Sequence, residues 1–272
     1  MEKINFNENR NLSEIFISSL QFIKSEGSSL FKFYIRFLFP LLIPLAIFTY
    51  QSDLIEITEI INKDISELES AISNIDINKL WMVGLSQAFV WLVFLTITLI
   101  YIRNYCSNNS QPLSNKEMWN QMLYEFPKIF IVQFFYVFMV FFGTLSFVIP
   151  GIYFAITFAL ATTILVFNDT RIFQAFSLSL RLTFKKWFKV LGYLLIIYLI
   201  YFVARIILQF PFSLILTRLS DAGDLSRLSF TILNIFNSII NLFSSLFLVL
   251  GTVFLYYILD QHTEPILKQR TK

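Results

Sequence analysis

The chain has 272 residues, of which 56% are hydrophobic and only 14% are charged, and its formal net charge is +3. Soluble domains contain roughly 45–50% apolar and about 25% charged residues, so this composition argues against a soluble globular enzyme. One histidine and one cysteine leave no material for a disulfide or a His/Cys metal cage, so we expect no metal and no cofactor. The composition is typical of an integral membrane protein.

The first predicted element is an amphipathic helix at residues 11–26, which we expect on the cytoplasmic side of the membrane. Its apolar residues recur at helical spacing and share one face. They are Leu12, Ile15, Phe16, Leu20 and Ile23. Because the residues before it contain no apolar run of signal-peptide length, we expect the later spans to drive insertion.

Six intervals are apolar enough to cross a bilayer, which requires about 20 mainly apolar residues per helix. The predicted spans are 33–52, 80–102, 129–149, 151–168, 190–210 and 228–259. The sequence therefore predicts an all-α fold, a polytopic transmembrane helical bundle of about six spans.

The third and fourth spans are predicted to form a hairpin. Residues 129–168 carry no charge, and Pro150 and Gly151 interrupt them. Pro followed by Gly suits a tight turn, because Pro fixes φ and Gly accepts positive φ. The alternative is one kinked helix, which would reach about 60 Å and exceed the bilayer about twofold.

Residues 53–79 are predicted to form an acidic amphipathic helix on the exterior side. Leu54, Ile61, Leu68 and Ile75 repeat every seven residues, which gives a helix one apolar face. This face indicates a protein partner or self-association through a coiled coil. The alternative is that it lies on the rim of the protein or in the headgroup plane.

Residues 169–189 are predicted to form a basic interfacial helix. Aromatic and aliphatic residues follow one face, and Arg181, Lys185, Lys186 and Lys189 supply a basic stripe. Such a helix suits a surface rich in anionic lipid. The alternative is that these charges only fix the topology.

The distribution of basic residues predicts the orientation. With six spans, four of the 21 basic residues fall on the exterior side, namely Lys63, Lys79, Arg218 and Arg227, and Arg205 lies within a span. The other sixteen lie on the side of both termini. The positive-inside rule therefore places both termini in the cytoplasm, and we expect a multi-pass protein of the bacterial inner membrane.

Two polar groups lie within predicted spans and form a possible intramembrane polar site. Arg205 is one, and it either contacts an anion or a lipid phosphate or has a structural role, in which it snorkels or pairs with Asp221 or Asp224. The asparagines Asn234, Asn237 and Asn241 share one face of the last span and either bond to neighbouring helices or line a polar cavity. No acidic residue lies well inside a predicted span, which argues against ion-coupled transport.

The segment around residues 116–192 carries a recognisable pattern of turn, acidic residue and basic segment. Its members are Pro150, Gly151 and Ile152, then Asp169, Ala175 and Ser179, then Arg181, Lys185 and Lys186, and finally Trp187 and Gly192. The pattern resembles the membrane domain family of glycerophosphoryl diester phosphodiesterases and the YciC-like six-helix bacterial membrane proteins of unknown function. The resemblance implies an inner-membrane protein of about six helices. It does not imply the phosphodiesterase activity, which belongs to a separate soluble barrel with a His-Arg-Gly motif.

These features together favour a non-enzymatic inner-membrane protein that acts as a scaffold, a complex subunit or a lipid-associated module. The alternative is a transporter or channel for a lipid or small solute. We expect membrane lipids as partners, and no nucleic acid.

Overall fold

The computed structural model describes residue 6 and residues 12–52, 76–107, 113–221 and 226–261. Every element of regular structure in these ranges is an α-helix, which confirms the all-α fold. In chain order, the helices are α1 (Leu12–Phe37), α2 (Phe39–Gln51), α3 (Ile77–Cys106), α4 (Asn115–Ser146), α5 (Val148–Thr157), α6 (Ala161–Asn168), α7 (Ile172–Phe184), α8 (Trp187–Asp221) and α9 (Arg227–Gln261).

The described helices include five spans that are long and apolar enough to cross a membrane, with α5 and α6 counted together, or six if the bent pair α1 and α2 counts as one more. Their burial differs widely. In the most apolar stretch of α9, 72% of the residues are buried, against 17% in the corresponding stretches of α4 and α8. The chain is therefore a multi-pass helical membrane protein in which most residues of the apolar stretches of α4 and α8 are at least partly exposed.

The first two helices correct the predicted boundary between an amphipathic helix at 11–26 and a span at 33–52. The helix α1 continues without interruption to Phe37, and the break falls at Leu38. Pro40 explains this position, because proline lacks an N–H and its ring crowds the carbonyl four residues earlier. Gly27 lies within α1 and does not interrupt it.

The break between α4 and α5 also differs from the prediction. It falls at Phe147, whose backbone is extended (φ −160°, ψ 144°), three residues before Pro150. Pro150 and Gly151 lie in the first turn of α5, where a missing N–H removes no helical hydrogen bond. Gly151 matters for packing, since a Cβ there would lie 2.8 Å from the Thr144 backbone nitrogen. The two arms of the hairpin therefore approach each other closely.

The predicted interfacial helix at 169–189 is divided between two helices. Residues 172–184 form α7, Lys185 and Lys186 lie in the break, and α8 begins at Trp187. The predicted spans 80–102, 190–210 and 228–259 all extend further as α3, α8 and α9. The predicted exterior helix at 53–79 lies outside the described residues except at its end, where the Asn78 N–H donates to Asp76 Oδ1 (3.0 Å) at the start of α3.

The chain divides into two compact units. Unit 1 comprises residues 1–33, 95–201 and 245–272, and unit 2 comprises residues 34–94 and 202–244. Within unit 1, Phe6 stacks on the buried Phe254 at a ring distance of 4.5 Å and meets Phe22 edge-on at 5.9 Å. Within unit 2, Tyr34 packs on Phe94 at 5.1 Å.

Candidate functional site

The helix α7 has one buried face and one outward face. Ser179 and Thr183 are fully buried, and the Ser179 hydroxyl donates to the Thr157 carbonyl oxygen at 2.6 Å. This bond joins α7 to the end of α5. Arg181 and Phe184 lie on the opposite, exposed face.

The start of α8 also carries exposed residues. The Trp187 ring stacks on Tyr153 of α5 with a centroid distance of 6.2 Å and an interplanar angle of 18°. Phe184 and Phe188 are left 68% and 82% exposed, and Lys189 is also exposed. We call this region the basic surface, which consists of Arg181, Phe184, Lys185, Lys186, Phe188 and Lys189.

The basic surface carries four cations and no acidic residue. The sequence contains no Asp or Glu between Asp169 and Asp221, and in the part of the chain that the structure describes no carboxylate pairs with any of the four. Partial burial and the neighbouring charge of Lys189 lower the pKa of the Lys186 ammonium below its ordinary value. The surface therefore combines unneutralised positive charge with exposed aromatic rings.

A second charged region in unit 1 is internally paired around the buried Glu125. Arg103 Nη1 lies 2.6 Å from Glu125 Oε1 and donates to the Val166 carbonyl oxygen at 3.1 Å. Its Nη2 donates to Gln121 Oε1 at 2.9 Å. The Glu125 side chain is only 1% exposed. This arginine therefore joins α3 to α4 and to the last turns of α6.

Lys128 extends the same region toward the end of α6. Its Nζ lies 3.2 Å from Asp169 Oδ1, 3.7 Å from Glu125 Oε2 and 3.5 Å above the Tyr124 ring. Asp169 has a left-handed backbone (φ 44°), which a short polar residue adopts more readily than most. We call Arg103, Glu125, Lys128 and Asp169 the ion network.

Sequence reasoning missed the ion network, because hydropathy placed Arg103, Glu125 and Lys128 in loops. A signal was nevertheless present. Met118, Met122, Ile129 and Val132 are buried along α4 with Glu125 in the middle of their row. A carboxylate at a buried position of a helical stripe requires a cationic partner, since an unpaired buried charge is very costly.

The predicted intramembrane polar residues lie in unit 2. Arg205 Nε donates to Gln209 Oε1 at 3.2 Å. The Ser238 hydroxyl contacts Gln87 Oε1 at 3.0 Å and the Asn234 carbonyl oxygen at 2.9 Å.

The side chains of Asn234, Asn237 and Asn241 are half-buried. The side chain of Asp221 and residue Asp224, which we considered as partners of Arg205, lie outside the described residues. The contacts described for Arg205 and Asn234 are therefore with other groups of the protein.

The described residues contain no group of three or more His, Cys, Asp or Glu side chains placed to hold a metal ion. No family model, no curated protein and no solved structure matches the chain. The resemblance to the phosphodiesterase membrane domain family therefore stays a prediction.

Proposed function

We propose that the chain is a non-enzymatic protein of the bacterial inner membrane with both termini in the cytoplasm. Among the roles of scaffold, complex subunit and lipid-associated module, the geometry supports the lipid-associated role best. The observation that carries this proposal is the basic surface, where four cations and two exposed phenylalanines lie within nine consecutive residues and none of the six is buried.

Such a surface suits the boundary between lipid headgroups and acyl chains. Large aromatic side chains are unfavourable in water, and ammonium and guanidinium groups are unfavourable in hydrocarbon. A helix that presents both lies in the interface, where its rings reach the acyl region and its cations reach the phosphates. Each basic residue near an anionic leaflet contributes about 1 kcal/mol to the attraction.

The length of the hairpin formed by α4 and α5 also supports an interfacial position for the basic surface. From Lys128 in the ion network to the break at Phe147, α4 extends about 29 Å at ~1.5 Å per residue. The hydrocarbon core is about 30 Å thick. The ion network, whose Asp169 lies three residues before the start of α7, therefore falls at one interface when the break lies at the other.

The test is to extract the full chain from cells into polymer-bounded nanodiscs and measure the lipids that accompany it. We expect anionic phospholipid to be enriched at least twofold over the bulk membrane. The variant R181Q/K185Q/K186Q/K189Q should lose this enrichment.

A control variant removes the same number of cations from other exposed positions. It is K24Q/K32Q/R36Q/K116Q. This control should keep the enrichment. Lipid at bulk composition around the natural chain, or equal loss in both variants, would contradict the proposal.

The non-enzymatic part of the proposal rests on the scarcity of histidine and cysteine in the sequence, which contains one of each. Hydrolysis of a glycerophosphodiester by the purified chain would overturn it. Passive transport is the second candidate, favoured by the half-buried Arg205 and asparagines of unit 2. It requires solute flux in vesicles that the N234L/N237L/N241L variant abolishes.

A further inference from the structure

We propose that the basic surface binds one phospholipid whose headgroup carries two phosphates, in preference to lipids with a single phosphate. This inference rests on the proposed function, in which the basic surface meets an anionic leaflet. It adds the headgroup class and a stoichiometry of one.

The cations of the basic surface fall into two pairs along the chain, and one member of each pair lies in the helix break. Arg181 in the last turn of α7 is four residues from Lys185, whose backbone stays helical (φ −76°, ψ −15°), and Lys186 is three residues from Lys189 in the first turn of α8. Residues at these spacings are neighbours on a helical surface, with Cβ atoms about 5–6 Å apart. Each pair is thus suited to one phosphate.

The charges of the surface favour a ligand that brings two anionic groups in one molecule. Within the described residues no carboxylate neutralises any of the four cations, and Lys186 lies close enough to Lys189 for the second charge to lower its pKa. A headgroup with two linked phosphates engages both pairs, and its second contact is intramolecular once the first has formed. Two separate monophosphate lipids lack this advantage.

The surface of α8 beyond the cations offers a path for an acyl chain. Phe188, Leu195 and Leu199 are 82%, 60% and 59% exposed and follow one stripe of the helix through Gly192. A Cβ at Gly192 would meet no atom within 4 Å. The glycine therefore leaves an open notch in an apolar stripe that begins beside the basic surface.

The experiment is native mass spectrometry of the delipidated full chain in detergent, titrated with cardiolipin or with phosphatidylglycerol at equal total phosphate. We expect one cardiolipin to bind, with an apparent Kd at least tenfold lower than that of phosphatidylglycerol per phosphate. Phosphatidylcholine provides the neutral reference.

Two double variants test the paired arrangement. R181Q/K185Q and K186Q/K189Q should each weaken cardiolipin binding at least tenfold and remove its preference over phosphatidylglycerol, because only one phosphate position remains. The control K24Q/K32Q removes two exposed lysines of α1 and should change the Kd less than twofold. Retained preference in both double variants would overturn the inference.

The notch has its own test that does not alter charge. Leucine in place of Gly192 fills the open space and raises helix propensity, so G192L should fold normally and weaken cardiolipin binding several-fold. Gly84 of α3 also has open space around it, so G84L is the matched control and should bind as the natural chain does. Equal cardiolipin binding by G192L and G84L would show that no acyl chain of the lipid lies at Gly192.

The outcomes separate this inference from the proposed function. If cardiolipin and phosphatidylglycerol bind equally per phosphate and both bind better than phosphatidylcholine, the lipid-associated role stands and the two-phosphate site is wrong. If none of the three lipids is preferred, both are wrong.

Discussion

The ion network and the basic surface are two charged regions of unit 1 that differ in whether their cations are paired with carboxylates. In the ion network, Arg103 and Lys128 lie within 4 Å of Glu125 or Asp169. In the basic surface, none of the four cations pairs with a carboxylate among the described residues. Charges that the protein neutralises itself hold its helices together, whereas charges that it leaves open are available to an anion from outside.

The largest expected effect comes from breaking the ion network. In E125L the Arg103 guanidinium loses its buried partner, and removing one member of a buried pair costs about 3 kcal/mol or more. The double variant R103M/E125L should recover most of this loss, because two well-packed apolar side chains can replace a buried pair. Unfolding in detergent measures both. Equal losses in the single and double variants would show that packing, not charge pairing, accounts for the effect.

A second prediction compares two glycines, Gly151 with no space for a side chain and Gly192 with open space around it. In G151V the new Cβ collides with the backbone of Thr144, and overpacking of this kind costs about 1–3 kcal/mol. The same change at Gly192 meets open space, so G192V should leave stability nearly unchanged. Thermal unfolding of the two variants side by side checks this difference. A G192V chain as unstable as G151V would show that the notch is occupied by the protein.

The asparagines of α9 should have a smaller effect. Interhelical hydrogen bonds in membranes contribute about 1 kcal/mol or less each. N234L, N237L and N241L should therefore each lower stability by at most about that amount, and solute flux through vesicles should not depend on them. A loss of flux without a loss of stability would instead favour the transport candidate.

The smallest effect on stability is expected at the basic surface. Exposed substitutions away from special features usually change stability by about 0.5 kcal/mol or less. R181Q/K185Q/K186Q/K189Q should thus unfold in neutral detergent close to the natural chain, and should lose only the stabilisation that added anionic lipid provides. A large loss in neutral detergent would mean that the surface is part of the packed structure.

Hydropathy predicted which segments form helices long and apolar enough to cross a membrane, because burial in hydrocarbon requires continuous apolar sequence. It could not predict where helices end. α4 begins at Asn115 through a capping box formed by Ser114 and Glu117, well before the apolar run starts at Ile129. Helix ends depend on capping residues and prolines. The break at Leu38, for example, is caused by Pro40 two residues later.

Of the two charged regions, the basic surface could be predicted from the sequence and the ion network could not. The basic surface contains the four cations that the sequence indicated, because an uninterrupted basic stripe beside aromatic residues is visible without a structure. The ion network was not found, since its members are distributed over α3, α4 and the end of α6. Only packing brings Arg103 within 2.6 Å of Glu125.

The most direct test of the account is an electron cryomicroscopy structure of the chain in nanodiscs that contain anionic phospholipid, at a resolution that shows headgroups. We predict phosphate density within hydrogen-bond distance of Lys185, Lys186 or Lys189, and no lipid density at the Arg103–Glu125 pair. A basic surface that faces bulk water, or that lies against another protein with no phosphate between them, would contradict the central claim that its open charges receive a lipid headgroup.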